Sequence, residues 1–81
     1  MTLMRSGPYK LYLKSGSLRE ANPHIYIGKS SEHYAKYSLS PVALISATGF
    51  EANDLRKAEK VVKDLEFALM QEWKPILEAR Q

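Results

Sequence analysis

The stretch NPHIYIG, residues 22–28, holds the side chains of this chain best suited to chemistry. An unperturbed imidazole titrates near neutral pH, which gives His24 the range of a general acid or base. On a ribonuclease-like path His24 would take the proton of a ribose 2′-OH. Lys10 or Lys36 would stabilise the phosphorane, and Tyr26 would orient the substrate or supply a proton. The spacing is undemanding, because residues two apart share a face in every strand. The competing reading of His24 is packing or a partner contact. A metal centre is not expected: His33 stands nine positions after His24, no carboxylate trio accompanies the pair, and the chain has no cysteine. No cofactor is expected either, since the four glycines are scattered and build no phosphate loop.

Strands must hold these residues. GPYKLYLKSG (7–16) alternates, with Tyr9, Leu11 and Leu13 on one face and Lys10, Tyr12 and Lys14 on the other. In HIYIGK, Ile25 and Ile27 share one face while His24 and Tyr26 share the opposite one. YAKYSL alternates in the same way, and Ser40-Pro41 interrupts the ladder because proline lacks the N–H. VALISATG reads as a fourth strand or a short helical turn, and SGSLREANP (15–23) as a polar loop. From Leu55 the period changes: Leu55, Ala58, Val62, Leu65, Leu69, Trp73 and Ile76 form one apolar stripe of a long helix. Glu51 or Asn53 would cap it, and Pro75 would leave the Gln71 carbonyl without its donor. Trp73 would close one end of the core, its indole N–H reaching a carbonyl or water.

The expected fold is therefore α+β and a single domain over 1–81: a small antiparallel sheet of three to four strands, about 8–14, 24–29, 34–39 and 42–47, with one long C-terminal helix, about 52–74 and kinked or broken at Pro75, packed on one face. With the leucines and isoleucines inward, Lys10, Tyr12, Lys14, His24 and Tyr26 point outward, joined by Tyr34 and Lys36 if the third strand keeps register. Such a surface can stack bases and track phosphates. It can also be a solvated sheet face or one covered by a partner. On the helix, Phe67 falls in a strip with Arg56, Lys60, Lys63 and Lys74, which suits a partner groove or a homodimer contact.

An 81-residue chain builds one modest core, so partner contacts would help its stability. A net charge of +3 fits nucleic acid or an acidic protein without requiring either. No apolar run reaches the roughly 20 residues of a membrane span, and MTLMRSGPYK has no signal-peptide core. A cytoplasmic location and no membrane partner are expected.

NPHIYIG, YAKYSLSPVALISATGF, DLRKAEKVV and Glu72-Trp73 together resemble a family of small prokaryotic proteins of unknown function. That family is built around a Pro-Pro-His-x-His-Val strand, a segment like Ala-Lys-Phe-x-Leu-x-Pro-Val, a Gly-Phe pair and a helix with a late Trp. The resemblance spans about residues 8 to 80. Asn22 replaces the family's first proline and Tyr26 its second histidine, so only His24 of the two histidines carries over. Genes of the family often adjoin another small gene in a toxin–antitoxin-like arrangement. The resemblance thus implies a protein-interaction component, one subunit of such a pair, with a partner encoded by a neighbouring gene, and it brings no reaction with it. The alternatives are an RNA-directed nuclease or ribosome-binding toxin using His24, and a phage or mobile-element inhibitor that binds a host protein. An enzyme is the lesser expectation. The candidate partner- or RNA-binding residues are Lys10, Tyr12, Lys14, His24, Tyr26, Lys36 and Phe67.

Overall fold

The computed structural model describes residues 2–14 and 22–79. Five strands, β1 (Thr2–Ser6), β2 (Tyr9–Tyr12), β3 (His24–Ser30), β4 (His33–Leu39) and β5 (Val42–Thr48), precede two helices, α1 (Ala52–Asp64) and α2 (Glu66–Glu78). The strands form one antiparallel sheet in chain order β1-β2-β3-β4-β5. The fold is α+β, but the expected three to four strands and single long helix are corrected to five strands and two helices. Most of the loop read at 15–23 lies outside the described residues.

Both corrections have physical causes. β1 escaped notice because Thr-Leu-Met-Arg-Ser alternates weakly. It exists as a ribbon on β2, with Met4 beside Leu11 and Arg5 beside Lys10. The helix divides at Leu65, whose ψ of 6° turns the axis. No glycine or proline marks that residue. The sheet twists, so one straight rod cannot follow it. α1 lies on β4 and β5, while α2 reaches β4 and sends Trp73 to the backbone of β3. Pro75 stays inside α2. Its missing N–H affects the carbonyl of Gln71, an exposed residue that water can serve.

The covered face is the alternation read from sequence. Leu11, Ile27 and Ala35 lie side by side across β2, β3 and β4, and Ile25 pairs with Tyr37. These residues, with Leu39, are buried against Ala58, Val62, Leu69 and Trp73 of the helices. Two polar ties fix the helices: the Tyr37 hydroxyl donates to the Leu55 carbonyl at 3.1 Å and the Trp73 indole N–H to the His24 carbonyl at 2.7 Å. At the start of α1, the Glu51 backbone N–H donates to Asp54 Oδ2 at 3.2 Å, satisfying one donor beside the helix start. Gly49 makes the turn into this helix with φ +73°, and a Cβ there would lie 2.1 Å from the Glu32 carbonyl oxygen.

Candidate functional site

The other face of the sheet bears no helix, and its residues come from the opposite register. Tyr12, Tyr26, Lys36 and Ser46 form one cross-strand row, and Lys10, Gly28, Tyr34 and Thr48 the next. Register alone thus brings three tyrosines together. Tyr12 and Tyr26 stack with centroids 5.6 Å apart at 21°, and Tyr34 follows 6.4 Å from Tyr26, tilted by 58°.

Lysines are laid over these rings. Lys14 Nζ lies 4.7 Å from the Tyr26 centroid and 4.3 Å from that of Tyr34. Lys36 Nζ is 5.6 Å from Tyr26 and Lys10 Nζ 5.3 Å from Tyr12. At these distances the ring quadrupole attracts the ammonium. The field also acts on the phenols. A hydrogen bond with Thr48, then the Lys14 charge, hold the Tyr34 hydroxyl below the usual tyrosine range. Tyr12 is pushed the other way by burial and by its tyrosine neighbours.

Charge is segregated between sheet and helices. None of the five strands contains an acidic residue, whereas Arg5, Lys10, Lys29 and Lys36 all lie on strands. The helices mix both signs, and Lys60–Asp64 and Lys63–Glu59 form i,i+4 pairs at 3.2 and 3.6 Å. Of the basic strip expected around Phe67, Lys60 and Lys63 are thus paired with carboxylates of α1, whereas the strands of the open face offer their cations no acidic residue.

Lys10, Tyr12, Lys14, Tyr26 and Lys36 are brought together on this face. His24 is a correction. It shares the outer register but is only 2% exposed, at the end of the sheet where α2 crosses. The Trp73 ring packs 5.1 Å from it and Tyr26 meets it edge-on at 5.9 Å. Its Nδ1–H donates to the Asn22 carbonyl at 3.0 Å, which fixes the proton on that nitrogen. The parity rule assigned the right face, but it could not foresee the helix wrapping that corner. Phe67 stands apart from these residues on α2, 78% exposed.

Sequence reasoning missed Arg5, Gly28 and Lys29. With Pro8, Lys10, Tyr12, Lys14, Ser30, Ser31 and Tyr34 they line a hollow of about 460 Å³. Finding Arg5 needed β1, whose only signal was weak alternation, whereas Gly28 and Lys29 stood in a strand already read from sequence and were passed over. Among the described residues no group of three His, Cys, Asp or Glu is placed to hold a metal ion. No described helix is long and apolar enough to cross a membrane.

A family model, Domain of unknown function (DUF4160), matches residues 9–74. The chain belongs to this family. No curated protein and no solved structure matches the chain. The DUF4160 match begins at Tyr9, the first residue of β2, so Arg5 and the rest of β1 lie outside it.

Proposed function

We propose that this DUF4160 protein is a binding module that lays single-stranded RNA along the open sheet face. The observation that supports this reading is the stacked Tyr12–Tyr26 pair, extended by Tyr34, under Lys10, Lys14 and Lys36, on strands without an acidic residue. Bases stack on aromatic rings whatever their identity, and lysines follow the backbone. On binding, a base takes the ring face and the lysine that covered it turns to a phosphate, so its charge stays compensated throughout. A catalytic histidine would have to touch the RNA. His24, buried under Trp73 with its Nδ1 proton given to Asn22, is assigned to packing here.

The test is fluorescence anisotropy with a single-stranded RNA of about 10 nucleotides, within the range small sheet surfaces accommodate. Binding should weaken linearly on a log–log plot against salt, with a slope of about −0.7 per phosphate neutralised. A double Tyr12→Ala, Tyr26→Ala variant should bind far more weakly. Equal binding by that variant would refute the reading.

A protein-interaction component, one member of a toxin–antitoxin-like pair, is the second reading, and a different observation favours it. β5 is an edge strand without a charged residue, and its Leu44 and Ile45 are 45% and 54% exposed. An uncharged apolar edge is a template for strand addition. Co-expression with the neighbouring gene product, followed by pull-down of wild type, Ile45→Lys and Phe67→Ala, tests it. A complex lost on Ile45→Lys would support the pair.

A further inference from the structure

The hollow at one end of the open face shares Tyr12, Tyr34, Lys10 and Lys14 with the tyrosine track and adds Arg5 and the turn residues to them. Its floor includes Gly28, the bare position between Lys10 and Tyr34 in their cross-strand row. A Cβ built there would come within 2.8 Å of Tyr34 Cβ and 2.9 Å of the His33 carbonyl oxygen, so this backbone admits only glycine without a shift. Pro8 of the β1–β2 turn, Ser30 at the end of β3 and Ser31 of the β3–β4 turn bound the same end of the sheet.

The chemistry of the walls fits an anion attached to a ring. Arg5, Lys10, Lys14 and Lys29 all line the hollow, and no carboxylate does. The Lys29 ammonium itself turns to the covered side, to Asp54 at 3.2 Å and over the Tyr9 ring. The field in the hollow therefore comes from Arg5, Lys10 and Lys14, the last already lying over the Tyr34 ring. Arg5 and Lys10 are held opposite each other by the β1–β2 register. Tyr12 and Tyr34 supply aromatic walls. A volume of about 460 Å³ lies within the range of small-molecule sites and exceeds what a bare phosphate needs. A phosphomonoester carries about −1.5 to −2 at neutral pH, more than the single charge of an internal diester, so converging cations favour a strand end over its middle.

We infer that the hollow binds a nucleotide phosphomonoester, namely the phosphorylated terminal nucleotide of the single strand carried by the tyrosine face. The base rests against Tyr34 or Tyr12, and the phosphate sits between Arg5 and Lys10. This inference rests on the RNA reading above, and it adds that the protein recognises an end.

The experiment compares one RNA oligonucleotide bearing a 5′-phosphate, a 3′-phosphate or hydroxyls at both ends, with AMP and adenosine as small probes. One phosphorylated end should bind about tenfold or more tighter than the hydroxyl form, as expected for a charge-assisted contact. Arg5→Gln and Lys10→Gln, both at exposed positions, should erase that difference while the circular dichroism spectrum stays unchanged. Tyr26→Ala should weaken all three oligonucleotides alike. AMP should compete and adenosine should not. Equal affinity for all three ends, with RNA still bound, would overturn the end-recognition site and leave the RNA reading standing. AMP binding lost on Arg5→Gln, without any RNA binding, would support the hollow as a site for free nucleotides and overturn the strand-end assignment.

Discussion

The two faces of the sheet are made by the same strands and the same alternation, yet they solve opposite problems. On one, Leu11, Ile25, Ile27, Ala35 and Leu39 are buried under α1 and α2. On the other, Tyr12, Tyr26 and Tyr34 stack with one another under lysines and no helix covers them. Cross-strand aromatic pairs stabilise a sheet in themselves, but a face that only meets solvent would ordinarily mix charges of both signs. The strands carry only cations. The difference teaches that burial under the helices accounts for the first face, while the second is ordered by contacts among its own rings and cations.

Substitutions that break this comparison should do so unequally. The largest effect belongs to Trp73→Ala on the covered side, which removes a buried ring and its bond to the His24 carbonyl. It should cost about 3–5 kcal/mol in urea denaturation. Because His24 packs on that ring, the end of β3 should loosen with it, visible as faster amide exchange. On the open side, Tyr26→Ala should cost about 1 kcal/mol of stability through its lost cross-strand ring contacts, less than Trp73→Ala. It should also weaken RNA binding by roughly 5- to 150-fold, the value of one base stack. Lys36→Gln should lower the salt slope by about 0.7 with a smaller loss of affinity.

The fold was legible where local pattern decides. The alternation in β2, β3 and β4 and the stripe from Leu55 to Ile76 are direct prints of burial on sequence. What escaped was set at a distance. The bend at Leu65 comes from the twist of a sheet lying far away in sequence, and β1 is a strand only because β2 pairs with it. The site followed the same rule. Parity alone put six of the seven candidate residues in one register, five of which lie together on the open face. The burial of His24 escaped because α2 closes over its corner. Arg5 gained meaning once the β1–β2 register set it beside Lys10, and Gly28 once β2–β3 and β3–β4 set it between Lys10 and Tyr34.

Smaller effects sharpen the energetics of the covered side. Tyr37→Phe should cost about 1 kcal/mol by removing the bond to the Leu55 carbonyl. Burial, and then the Glu59 charge, hold the Tyr37 hydroxyl above the usual tyrosine range. The folded chain therefore binds this proton more tightly than the unfolded chain does. The stability it contributes is complete below the ordinary tyrosine value and falls as pH rises through the raised one, so Tyr37→Phe should lessen the alkaline loss. Smallest is Asp54→Asn. The Glu51 backbone N–H and then Lys29 hold this carboxyl below the usual range, so its contribution exists above the ordinary aspartate value and disappears on acidification. Denaturation midpoints of wild type and variant should converge as the pH falls through that range.

Titrating isotope-labelled protein with the hydroxyl-ended RNA while recording amide and side-chain NMR shifts would test most directly that the open face is the working surface. The expected result is a set of saturating shifts confined to Lys10, Tyr12, Lys14, Tyr26, Tyr34 and Lys36, with Phe67, Leu44 and Ile45 unmoved. Shifts centred on Phe67 or on β5, or none at low salt, would contradict it.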